Sequence, residues 1–200
     1  RRLDGVRLTA AGFTNFTQDH LDYHETFEAY FEAKMGLFDR VLPQDAWAVV
    51  NIDDPKVPEV AERAAIRGCH VLTTGRAPEA DMRLTAQRFD ATGQDMRLDW
   101  DGGPVQVRLD LVGGFQAENV LIAAGMVIAA GAEPRAVFQA LAELRTVRGR
   151  MELAATRDNG AAVIVDYAHT PDAIATACKA MRPHVLGRLI VVVGAGGDRD

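Results

Sequence analysis

The residue that first suggests chemistry is Lys34. A helical pattern runs over residues 25–40, and its large apolar residues Phe27, Tyr30 and Phe31 define one face. The three-to-four residue spacing places Lys34 and Phe38 on that same face, while Glu28, Glu32 and Asp39 occupy the other. A bare ammonium on an apolar face is costly unless it is paired, discharged or modified. The alternative is that its aliphatic stem crosses the apolar surface and its head reaches water. Just upstream, Asp19, His20, Asp22 and His24 crowd one short loop. Two carboxylates and two imidazoles could ligate a divalent metal beside phosphates, although the same residue types also serve ordinary loops and helix starts.

Two further clusters lie late in the chain. Asp166-Tyr167-Ala168-His169 follows one apolar run, and Gly194-Ala195-Gly196-Gly197-Asp198 follows another. In a doubly wound sheet ligands gather where strands end at their carboxyl side, which is where both clusters would fall.

These side chains need a scaffold, and the hydrophobic periods supply an α/β one. Strands are expected over 10–16, 46–52 and 69–74, with a helix running to 67 between the last two. Residues 81–111 change to an alternating pattern interrupted by Thr92-Gly93-Gln94 and Asp101-Gly102-Gly103-Pro104, which reads as an antiparallel excursion. Helices follow at 116–130 and 134–144. The basic linker 145–150 then separates a strand at 161–166, a helix at 172–181 and a strand at 189–193.

Composition narrows the function classes. Across 200 residues, 48% are hydrophobic and 25% charged, as in globular α/β proteins. The net charge of -6 disfavours nucleic acid, and no apolar stretch is long enough for a membrane span. Cys69 and Cys178 stand far apart without metal-site spacing, consistent with reduced thiols in the cytoplasm. The sequence begins at Arg1 and ends inside a glycine motif, so both ends read as cut from a longer polypeptide.

The order of motifs resembles the Mur ligases. Phe13-Thr14-Asn15-Phe16, then Asp19-His20-Leu21-Asp22-Tyr23-His24, then Glu28-Ala29-Tyr30 and Ala33-Lys34 are similar to that family's signature, in its MurE-type form. Gly114-Phe115 and Asn119, Gly149-Arg150-Met151-Glu152, the run from Asp166 to Asp172, and Gly194 to Asp200 follow in the family's order. The resemblance implies the C-terminal part of a central ATPase domain over 1–148 and the start of a Rossmann-like C-terminal ligase domain over 149–200. It implies that Lys34 is carbamylated and associated with magnesium, with His20 as a second metal ligand. By the same resemblance Asn119 would read adenine, Arg150 would reach ATP from the interdomain hinge, and Asp166 and His169 would contact the nucleotide. Gln116 departs from the family pattern, which has Asn there.

The implied reaction is ATP-dependent amide formation through an acyl phosphate. It would add the third stem-peptide residue, meso-diaminopimelate in preference to lysine, to UDP-N-acetylmuramoyl-dipeptide. The implied protein is a cytoplasmic monomer that uses ATP and Mg2+ and has no nucleic-acid partner. A Gly-x4-Gly-Lys-Ser/Thr phosphate loop is not present in these residues, so the piece alone is expected to be inactive. The competing readings are another Mur-superfamily ligase (MurF-type, folylpolyglutamate synthase or cyanophycin synthetase) and a non-catalytic nucleotide-binding module in which Lys34 merely reaches solvent.

Overall fold

The computed structural model describes residues 5–16 and 26–194. The first sheet has six strands in sequence order: β1 Ala10–Phe13, β2 Trp47–Asn51, β3 His70–Gly75, β4 Met82–Asp90, β5 Gly93–Trp100 and β6 Gly103–Leu109. Pairs β1–β2, β2–β3 and β3–β4 are parallel, while β4–β5 and β5–β6 are antiparallel. The expected antiparallel excursion therefore continues the parallel sheet. Its second hairpin turns on Asp101 and Gly102, with φ of 48° and 74°. Positive φ at both turn residues matches the right-handed twist of the flanking strands.

Helices α1 Phe27–Gly36 and α2 Val57–Ile66 cover one face, and α3 Phe115–Ala129 covers the other. The strand alternation divides the core accordingly. Ala11, Phe13, Ala48 and Val50 pack with Phe31, Met35 and Phe38 of the α1 region and with Val57, Val60 and Ala64 of α2. Val49 and Leu72 point the opposite way and meet Ile122 of α3. Two glycines let α3 approach closely. A Cβ at Gly12 would lie 2.7 Å from Ile122 Cγ2, and one at Gly125 would lie 2.8 Å from Val49 Cγ1.

Several expectations need correction. β1 stops at Phe13 rather than continuing to residue 16, because the Phe16 amide is taken by a side chain instead of a ladder partner. The expected helix over 25–40 is not one regular helix: α1 ends at Gly36 and a π-helical turn, Leu37–Val41, follows. The Leu42 N–H donates to the Leu37 carbonyl at 2.8 Å, which closes this wide turn, and both Phe38 and Leu42 are buried in the core. The expected helix over 134–144 is α4, Pro134–Ala140, followed by a 3-10 turn over Leu141–Glu143.

Beyond residue 150 a small second sheet pairs β7 Glu152–Thr156 antiparallel with β8 Ala162–Val165, followed by α5 Pro171–Met181. β7 was not among the expected strands. Residues 189–193 form no strand among the described residues, despite their β-branched run. A strand is held by a neighbour's N–H and C=O groups, and here Ile190 and Val192 are 74% and 93% exposed. No helix among the described residues is long and apolar enough to cross a membrane.

The seat of α3 generates a direct test. Gly125→Val would press methyl groups into Val49 and Leu72. We expect thermal or denaturant unfolding to show a loss of about 1–3 kcal/mol; unchanged stability would mean that the helix does not sit this close.

Candidate functional site

The carboxyl ends of the parallel strands are tied together by the turn that follows β2. The buried Asp54 carboxylate accepts the Phe16 N–H at 2.7 Å and the Lys56 N–H at 2.8 Å, fixing the exit of β1. Next to it, Asp53 accepts the amides of Arg76 at 2.7 Å and Ala77 at 3.0 Å, fixing the exit of β3. Gly75, with φ of 148°, is required there: a Cβ would lie 2.9 Å from an Asp53 oxygen. The Asp53 N–H in turn donates to Asn51 Oδ1 at 3.2 Å.

On one side of this edge stands α1, capped by Thr26, whose Oγ1 accepts the Ala29 N–H at 3.1 Å. Lys34 is half-buried, not on the deep apolar stripe. That stripe consists of Phe31, Met35, Phe38 and Leu42, so Lys34 lies at its border, with Nζ 5.0 Å from the centre of the Tyr30 ring. Phe16 sits against Phe27, Tyr30 and Phe31 at ring separations of 4.4, 5.2 and 5.1 Å. The amine therefore projects from an aromatic cluster anchored, through the Phe16 amide, on Asp54. His20 and the other loop residues of the expected metal cluster lie outside the described residues.

The polar side of α1 is held by α2. Arg63 grips both oxygens of Glu32, at 2.6 and 2.8 Å, and both oxygens of Asp39, at 3.1 and 2.5 Å. Lys56 lies over the Phe31 ring at 4.4 Å and within 3.8 and 3.6 Å of Glu28 and Glu59. Glu28, Glu32 and Glu59 thus form an acidic cluster already countered by two cations. Hydrogen bonds from Arg63 hold the Glu32 carboxyl below the usual carboxylate range. The same bonds, with those to Asp39, push the guanidinium still higher than its ordinary value.

On the other face, α3 begins at the same sheet edge, since Arg76 Nε donates to Glu118 Oε1 at 3.3 Å. Asn119 is exposed in the first turns of α3, and its amide donates to Gln116 Oε1 at 3.4 Å. The residue that departs from the family pattern is therefore the neighbour of the expected adenine reader. The segment before α3 is fixed by a buried amide network that sequence reasoning missed. Fully buried Gln94 donates to the carbonyls of Leu111 and Gly113, at 3.1 and 2.9 Å. Gln87 donates to Gln94 Oε1 at 2.6 Å and to the Gly114 carbonyl at 2.9 Å.

The remaining expected residues meet around Tyr167. The Arg150 guanidinium lies 4.8 Å from its ring centre and the His169 ring lies 5.1 Å away. Asp166 accepts the Met151 N–H at 2.9 Å and the Ala168 N–H at 2.8 Å, so its carboxylate organises this turn. His169 Nδ1 lies 3.0 Å from the Tyr167 carbonyl oxygen. Met151 is buried with φ of 52°, an uncommon backbone for a residue with a side chain. A separate open groove lined by Trp100, Val107, Glu133, Arg135 and Phe138 contains none of the expected site residues.

Comparison with known proteins places these motifs in a family. The Mur ligase middle domain profile matches residues 1–127. This chain belongs to the Mur ligase family. The profile of the "Mur ligase, glutamate ligase domain" matches residues 149–200 of this Mur ligase. A relative from Caulobacter vibrioides, named UDP-N-acetylmuramoyl-L-alanyl-D-glutamate--2,6-diaminopimelate ligase, is 47% identical over 200 residues. That alignment covers 100% of this chain but 41% of the relative. A solved structure carrying the same ligase name superposes with a TM-score of 0.79 at 34% identity, covering 100% of this chain and 40% of that one. A MurF ligase from Thermotoga maritima in complex with ADP shares the fold at a TM-score of 0.73 and 21% identity, covering 88% of this chain and 39% of that one.

Two outcomes follow from the geometry at the sheet edge. Asp54→Ala would leave the Phe16 and Lys56 amides without their partner, and we expect a loss of about 2–4 kcal/mol in denaturant unfolding; a change below experimental error would remove Asp54 as the anchor. The second concerns acid. Because Glu32 is held below its unfolded value, its ion pair stabilises the fold above the ordinary carboxylate range and loses that contribution as pH falls through the lowered value. The melting-temperature gap between the natural chain and Arg63→Met should therefore narrow below roughly pH 4. A gap that stays constant into strong acid would contradict this.

Proposed function

We propose that this chain is part of an ATP-dependent amide-forming ligase of peptidoglycan precursor synthesis. The parent enzyme would join meso-diaminopimelate to UDP-N-acetylmuramoyl-L-Ala-D-Glu. The observation that carries the reading is similarity along the whole chain to ligases of that name, at 47% identity in the first relative and 34% in a solved structure. Residues 1–148 would be the later part of the central ATP-binding domain, and 149–200 the start of the C-terminal ligase domain. The enzyme would work in the cytoplasm as a monomer, with small-molecule substrates.

The residues present suit that role in chemical type. The Lys34 ammonium cannot ligate a cation, but a carbamate on the same nitrogen offers oxygen donors of the kind magnesium takes. Its half-buried position beside Tyr30 keeps the amine within reach of dissolved CO2. Lys34 and His20 would hold the metal. Asn119 would present its amide to adenine, beside Gln116, while Arg150, Asp166 and His169 would meet the nucleotide from the Tyr167 turn. Asp166, whose oxygens both bind backbone amides, would also hold that turn in shape. When bound, ATP supplies the phosphoryl group that activates a substrate carboxylate, and magnesium offsets the negative charge gathered there.

The deciding experiment uses the complete ligase containing this chain. Lys34→Ala should lower amino-acid-dependent ADP release by at least about a hundredfold, the scale of removing a group that stabilises transition-state charge. Added formate or acetate should restore part of the activity. Full activity without rescue would overturn the proposed role of the amine. Release that depends on L-lysine and not on meso-diaminopimelate would overturn the proposed substrate.

A further inference from the structure

Beyond the linker, one buried side chain reaches back into the first sheet. His184 closes the 3-10 turn Arg182–His184 that follows α5. Its Nε2 accepts the Gly113 N–H at 3.0 Å, and its Nδ1 lies 2.7 Å from the Asp90 carbonyl oxygen. These partners are 71 and 94 residues away in sequence. The ring also packs edge-on against Phe89 at 5.0 Å. Because one partner is a donor and the other an acceptor, the tautomer is fixed: Nδ1 carries the proton and Nε2 is the acceptor.

Gly113 belongs to the segment that Gln94 and Gln87 hold by its carbonyls. His184 takes the amide of that same segment, so the start of α3 is gripped from both sides of the linker. Gly113 has φ of 99°, and a Cβ on Gly114 would lie 3.4 Å from the Phe89 ring. A side chain at Gly113 would be strained and would disturb this seat, while one at Gly114 would only touch the Phe89 ring. The turn bearing His184 is itself braced by Arg182, which donates to the carbonyls of Val185 and Gly187.

We propose that His184 is a positioning residue: the pivot that seats the C-terminal segment on the start of α3. α5 has 11 residues, so it is about 16 Å long. His184 pins one end of this rod, and the turn of Asp166 and His169 stands at the other. Displacing the pinned end would displace that turn relative to the start of α3, which carries Gln116 and Asn119. The seat does not depend on the ligase reading; its consequence for ATP does.

The first measurement is made on the unaltered chain. Nitrogen-15 NMR should show a neutral His184 with Nδ1 protonated, and a scalar coupling across the hydrogen bond between the Gly113 amide and Nε2. A protonated Nε2, or no coupling with both signals resolved, overturns the pivot. In His184→Phe, which keeps a ring and removes both hydrogen bonds, Gly113 amide exchange should accelerate about tenfold to a hundredfold. His184→Gln, which retains an acceptor, should recover part of that protection. Exchange at the natural rate in a folded His184→Phe chain counts against the proposal. In the complete ligase, His184→Phe should raise KM for ATP more than it lowers kcat. A fall in kcat alone, with Gly113 exchange accelerated as expected, would keep the seat but overturn its link to the adenine end.

Discussion

Strands in a parallel sheet end without a partner for their last amides, and the chain leaving each end is free to wander unless something takes those donors. Here the adjacent carboxylates of Asp53 and Asp54 do so for both neighbours of β2. Asp54 reaches back to β1 and Asp53 forward to β3, and a charged acceptor makes each bond stronger than a neutral pair would. From this stitch the geometry spreads outward. Phe16 is set, the aromatic cluster packs on it, and Lys34 takes its place at the rim of that cluster. Arg76 is set as well, and through Glu118 it orients the start of α3.

The two faces of the sheet use different physics for the same end. On the α1 side, position comes from large side chains and from an arginine shared between two carboxylates. On the α3 side it comes from absence of bulk, since Gly12 and Gly125 let helix and sheet approach until neighbouring methyl groups touch. Close packing then leaves little freedom for the helix to slide, and the amides of Gln87 and Gln94 fix its first turn. A helix so constrained would hold Asn119 steady in the role proposed for it.

Much of this fold was legible from local pattern. Buried strands β2 and β3 and the alternating excursion announce themselves through periodicity, and Asp101-Gly102 marks its hairpin by turn chemistry. β7 could have been found the same way, because Asn159-Gly160 is a hairpin turn and Gly160 has φ of 80°. The π-helical turn was not legible, because one extra residue in a turn has no residue signature of its own. Nor were Gln94 and His184, whose partners are set by the topology of the folded chain. Spacing put Lys34 on the apolar face with either a buried or a solvent-reaching head, and the structure places it half-buried at the border of the deep stripe, since helical spacing gives a face and not the edge of that face. Residues 189–193 show the converse failure: strand propensity without a neighbour to pair with.

Met151 stands where the chain passes from one sheet to the other, in a left-handed conformation that for an L-residue lies roughly 1–2 kcal/mol above its relaxed state. Its amide is clamped by Asp166 and its side chain is buried, so that tension is retained. A joint built this way is held in one uncommon conformation rather than left slack. Letting go of one carboxylate would release the backbone toward an ordinary conformation, and the direction of that relaxation is already written into the sign of a single dihedral angle.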